Sequence, residues 1–84
     1  MYVEFLGIPR ERAGISEVEI DADTLGDLLA TLVARVPALR ELVTPSGLHP
    51  SIVANLNGGE FVCDPRTKLS PDDRLLLLSS DVGG

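Results

Sequence analysis

The chain has 84 residues, a formal net charge of −6 and one cysteine, Cys63. A single domain of this size has a small core and no room for a deep multi-residue active site. The acidity argues against nucleic acid and anionic membrane as partners, and one cysteine excludes an internal disulfide. The start Met1-Tyr2-Val3-Glu4 is not signal-like, and no apolar run nears the roughly 18 residues of a membrane span, so the expected setting is the cytoplasm.

Tyr2 to Ile8, YVEFLGI, is rich in β-branched and aromatic residues and predicts a strand. Pro9 to Gly14, PRERAG, is polar, has turn residues at both ends and predicts a loop. Ile15 to Asp21 alternates, with Val18 and Ile20 on one face and Glu17 and Glu19 on the other, which predicts a half-buried strand. Thr24 is a good N-cap, with Asp27 three residues on. Leu25, Leu28, Leu29, Leu32, Val33 and Val36 then recur at helical spacing and predict an amphipathic helix of roughly three turns. Pro37 suits the first position of a further short turn, and Thr44 to Pro50 predicts a loop.

Ser51 to Leu56 and Glu60 to Cys63 flank Asn57-Gly58-Gly59 and predict a hairpin, since Asn-Gly is a strong tight-turn signal. Asp64 to Asp73 is a connection, and Leu75 to Leu78 predicts the closing strand. The order is two strands, a helix, then three strands. One helix then covers one face of a mixed four- to five-stranded sheet, an α+β arrangement of the β-grasp, or ubiquitin-like, type. Residues 1–78 form the domain, and residues 79–84 form a flexible tail.

Side chains alternate across a strand, so Leu75 and Leu77 face the helix while Leu76 and Leu78 face away. An apolar outer face is a candidate docking surface, although a central strand is also apolar on both sides for packing alone. The tail, Ser79-Ser80-Asp81-Val82-Gly83-Gly84, ends in two glycines. Glycine leaves the terminal carbonyl open to attack and lets an extended chain enter a narrow channel. Six extended residues reach about 20 Å, enough to enter a partner's active site. The chain has no phosphate-binding loop, so any activation of the Gly84 carboxylate by ATP must occur on another protein.

Four stretches resemble the MoaD/ThiS family of sulfur carriers. FLGIPRERAG (Phe5 to Gly14) is similar to the family's first strand and its Arg-Glu-x-x-Gly loop. DTLGDLLATLVARVPALRELV (Asp23 to Val43) is similar to its helix, and VANLNGGEFV (Val53 to Val62) to its hairpin. LSPDDRLLLLSSDVGG (Leu69 to Gly84) resembles its most specific signature, which ends the last strand shortly before a terminal Gly-Gly.

The resemblance implies that an E1-like adenylyltransferase of the MoeB/ThiF type activates the Gly84 carboxylate with ATP. A sulfur donor such as a rhodanese or cysteine desulfurase then makes a thiocarboxylate, which a synthase subunit consumes. It places molybdopterin synthesis slightly ahead of cysteine, thiamine or secondary-metabolite routes. Val82, Gly83, Asp81 and Ser80, with Leu76 and Leu78, would meet the partner. The chain would be a co-substrate or small subunit rather than a catalyst alone, would bind no cofactor or metal, and would be a monomer until it pairs. Ser79, Ser80 and Asp81 depart from the proline or small apolar residues usual there. Asp81 would require a basic residue in the partner's channel.

The remaining polar residues read as structural. His49 has no ligand cluster around it and is expected in a loop. Arg10 and Arg12 are expected as solvated charges, Asp72 and Asp73 as a turn cap, and Cys63 as a strand residue without chemistry. A second function uses the same activated Gly84 for an isopeptide bond to a target lysine, as in a ubiquitin-like modifier. A third leaves the two glycines inert on a binding module.

Overall fold

A computed structural model describes residues 1–44 and 46–80. The elements in chain order are β1 (Tyr2–Leu6), α1 (Ile8–Ala13), β2 (Glu17–Glu19), α2 (Leu25–Arg35), a 3₁₀ turn (Pro37–Leu39), β3 (Val43–Thr44), β4 (Gly47–Leu48), β5 (Ile52–Leu56), β6 (Glu60–Val62) and β7 (Arg74–Ser79). Five strands make one sheet in the order β2-β1-β7-β5-β6. β1 and β7 run parallel, and the other pairs are antiparallel. This is the mixed β-grasp sheet expected from the order of strands and helix. The parallel pair at its centre requires the α2 crossover between its two strands.

α2 forms where its apolar spacing places it. The Thr24 hydroxyl accepts from the Asp27 N–H at 3.2 Å, so the expected N-cap is made. Leu25, Leu28, Leu29 and Leu32 have no exposed surface and share one core with Val3, Phe5, Ile20, Ala54, Leu75 and Leu77. Burying each such leucine stabilises the fold by about 1.5–3 kcal/mol relative to exposure. The Leu25 N–H donates to Thr67 C=O and the Leu69 N–H to Asp23 C=O, both at 2.9 Å, which ties the β6–β7 connection to the start of α2.

The Asn57-Gly58 turn also forms as expected. Asn57 and Gly58 have φ of 55° and 70°, the positive values that a primed hairpin turn requires. The Gly59 N–H closes it on Leu56 C=O at 3.1 Å.

Three segments differ from the sequence expectation. PRERAG is part of a helix, α1, rather than a loop. Pro9 is buried in its first turn, where a missing N–H costs nothing, and Gly14 ends it in the left-handed conformation. Thr44 to Pro50 is not a plain loop. β3 and β4 pair across it, and the Thr44 hydroxyl donates to Gly47 C=O at 3.2 Å. Ser79, expected as the first residue of the tail, is the buried last residue of β7.

Candidate functional site

β7 is the middle strand of the five, and the tail continues from its end. The root of the tail is therefore held from both sides. β7 pairs with β1 from Arg74 to Leu78 and with β5 from Leu75 to Ser79. The Ser79 hydroxyl accepts from the Ile8 N–H at 2.7 Å, and the Ser80 N–H donates to Ser51 C=O at 2.8 Å. Asp81, Val82, Gly83 and Gly84, the remaining expected partner-binding and loading residues, lie outside the described residues.

The face of the sheet turned away from α2 is built by register. Glu4, Leu76 and Asn55 stand in one row across β1, β7 and β5, and Phe61 continues it on β6. Leu6, Leu78 and Val53 form the next row, and Tyr2 pairs with Arg74 at the other end. Leu76 and Leu78 both lie on this face, as alternation predicts. Their exposure differs, because Leu76 is half-buried while Leu78, between Leu6 and Val53, is only 7% exposed. The accessible apolar surface is instead carried by Leu6 at 40%, Tyr2 at 41% and Phe61 at 65%. Sequence reasoning did not single these out, although the alternation of β1 and β6 places them opposite the buried residues.

Charge on this face is partnered. The Arg74 guanidinium lies 2.6 Å from Glu4 and 5.1 Å from the centroid of the Tyr2 ring. Beside them is an open depression of about 300 Å³, lined by Glu4, Asn55, Asn57, Asp72, Arg74 and Leu76. A second depression of about 210 Å³ lies beside β6 and includes His49, Phe61 and Cys63. Cys63 is exposed.

The perturbed carboxyls are turn caps. The Asn57 amide, and then the Ser70 N–H at 2.7 Å, hold the Asp73 carboxyl below the usual carboxylate range. The Arg66 backbone N–H, and then its guanidinium, do the same for Asp64. Asp73 thus performs the capping expected of the Asp72-Asp73 pair. His49 Nδ1 accepts from the Ser51 N–H at 3.1 Å and lies 2.8 Å from the Ser51 hydroxyl. Among the described residues no group of His, Cys, Asp or Glu is placed to hold a metal, and no helix is long and apolar enough to cross a membrane.

The face thus offers accessible apolar surface at Leu6, Tyr2 and Phe61, and the strand end is fixed at Ser79 and Ser80. No family model and no curated protein matches the chain. Solved structures do match. The crystal structure of SAMP1 from Haloferax volcanii is 30% identical, covers 100% of this chain and 98% of its own, and superposes with a TM-score of 0.75. A chain of the Amycolatopsis orientalis BexX/CysO complex is 24% identical over 99% of this chain and 98% of its own, with a TM-score of 0.78. The solution structure of small archaeal modifier protein 1 from Methanosarcina acetivorans is also 24% identical, over 99% of this chain and 94% of its own, with a TM-score of 0.75. At 24% these two likenesses show a shared fold.

Proposed function

Because the chain belongs to the MoaD/ThiS family of ubiquitin-like proteins, we propose that it is a sulfur carrier whose working group is the Gly84 carboxyl. The observation that carries this reading is the full-length likeness to SAMP1, in a fold whose central strand leads into the diglycine sequence.

The chemistry follows from what a carboxylate needs. A Gly84 carboxylate oxygen attacks the α-phosphorus of ATP on a separate E1-like enzyme of the MoeB/ThiF type, and pyrophosphate leaves. The terminal sulfur of a persulfide on a rhodanese or cysteine desulfurase attacks the Gly84 carbonyl, forming a C–S bond as the C–O bond to AMP breaks and giving an acyl disulfide. A second thiol attacks the donor sulfur of that S–S bond, so the donor leaves as a disulfide and the thiocarboxylate remains. That sulfur attacks the substrate of a synthase subunit, and water hydrolyses the resulting thioester, leaving the sulfur on the product and returning the carrier as a carboxylate. Molybdopterin synthesis is placed first among the receiving pathways, in the cytoplasm. This chain supplies the docking face around Leu6, Leu76 and Phe61 and a tail that fits a narrow channel. Asp81 pairs with a basic residue there.

The reading is tested by incubating the protein with ATP and an E1-like enzyme of the same organism. Pyrophosphate release that disappears when Gly84 is deleted supports it. Undiminished release from the deleted form overturns it.

A second reading is favoured by one observation: the 30%-identical relative is a SAMP1, which the related solution structure names a modifier protein. The activated Gly84 carbonyl would then be attacked by a lysine amine of a target. A Leu75–Gly84 remnant on lysines of other proteins after cleavage at Arg74 would mark that use, and sulfur retained on Gly84 would mark the first.

A further inference from the structure

Ser79 is the one buried polar side chain among the described residues. Its hydroxyl accepts from the Ile8 N–H, 71 residues earlier in the chain, at 2.7 Å. Ile8 begins α1, and its N–H is one of the first-turn donors that no carbonyl inside the helix satisfies. Ser79 therefore supplies the acceptor for that N–H from a distant strand. Gly7 is the residue that makes room. It has φ of 70°, and a Cβ built on it would lie 2.4 Å from the Ser79 hydroxyl. The next residue is held as well, because the Ser80 N–H donates to Ser51 C=O and Ser51 is itself braced by His49.

We propose that Ser79 is a positioning residue: by clasping the end of β7 to the start of α1, it fixes where and in which direction the Gly84 tail leaves the sheet. The inference rests on the reading that Gly84 is the loaded group. Four residues follow Ser80, and fully extended they reach only about 14 Å. With so short a tether the direction of its root decides which points the carboxyl reaches. Opening the clasp frees Ser79 and Ser80 to turn, and a docked carrier must then reorder them before its carboxyl can meet ATP. The docking face does not include the Ser79 side chain, so encounter is untouched and the loss falls on turnover.

The test compares wild type with Ser79→Ala in two measurements. Amide exchange on the isolated protein should show faster exchange at Ile8 and Ser80, with Leu77 unchanged as the control for folding. Pyrophosphate release with ATP and an E1-like enzyme of the same organism should show kcat reduced roughly 5- to 30-fold, the penalty for reordering about one residue, with KM within about twofold. Gly7→Ala, which displaces the same hydroxyl from the other side, should give the same pattern and stands in if Ser79→Ala loses protection at Leu77. Unchanged Ser80 exchange in a folded variant overturns the proposal, and so does unchanged kcat when Ser80 exchange has risen. If wild type itself releases no pyrophosphate, the Gly84 reading fails, and Ser80 exchange alone still decides whether Ser79 holds the root of the tail.

Discussion

Asn57, in the β5–β6 turn, and Asp73, at the entry to β7, are 16 residues apart in the chain and joined by an Nδ2–H···Oδ1 hydrogen bond of 2.9 Å. Asn57 also accepts from the Arg74 N–H at 2.8 Å and donates its own N–H to Arg74 C=O at 2.8 Å. One turn residue therefore sets both the hairpin and the start of the central strand. Replacing Asn57 by Ala should cost about 2–3 kcal/mol, from the left-handed φ and the lost side-chain bonds together. Asn57→Gly keeps the backbone conformation and should cost about half as much, read by urea unfolding.

The same pair gives an acid sensitivity. Hydrogen bonds from Asn57 first, and Ser70 second, lower the Asp73 pKa from 3.8 in the folded state. A depressed carboxyl stabilises the fold above its unfolded pKa, and that contribution is lost as pH falls through the folded value. Unfolding free energy measured from pH 5 downward should therefore fall less in Asp73→Asn than in wild type. An equal decline in the two proteins would contradict the assignment.

The two faces of β7 should separate on mutation. Leu77 has no exposed surface, and Leu77→Ala should cost about 2–5 kcal/mol. Leu76→Ala and Phe61→Ala should change stability by under about 1 kcal/mol, because both keep solvent contact. Both should weaken binding to the activating enzyme in a titration. Binding that falls only with Leu77→Ala would place the docking surface elsewhere.

Lys68 is the single lysine of the sequence and is exposed. The Met1 amine is buried, donates to Ile20 C=O at 3.1 Å and lies 3.6 Å from Asp21. Lys68 bridges Thr24 at the end of the sheet where β7 begins, and the tail leaves at the other end. If activated protein acylates itself, the Leu75–Gly84 remnant left after cleavage at Arg74 should appear on Lys68 and disappear in Lys68→Arg. A remnant retained in Lys68→Arg would contradict the assignment of Lys68 as the acceptor.

The helix α2, its Thr24 cap and the Asn57-Gly58 turn were legible because their signals are local: apolar spacing, a capping hydroxyl and a pair of residues that tolerates positive φ. α1 was read as a loop because Pro9 and Gly14, which here start and end a six-residue helix, are also turn residues, and the Ser79 bond to its first N–H leaves no local signal. The Arg12–Glu41 pair at 3.4 Å is another long-range contact on that helix. Alternation placed Leu76 and Leu78 on the correct face. It could not show that Leu6 and Val53 flank Leu78 in the assembled sheet, which shifts the accessible apolar surface to Leu6, Tyr2 and Phe61. The diglycine was legible as sequence, while the clasp beneath it required the neighbouring elements to be in place.

The claim that most of this depends on is that the group carried by the protein sits on its last glycine. The direct measurement is the intact and fragment mass of the protein recovered from its own host while the pathway is running. The expected result is one oxygen replaced by sulfur, localised to Gly84. Sulfur found on Cys63 instead, or an unmodified Gly84 in a host that is still making the product, would contradict it.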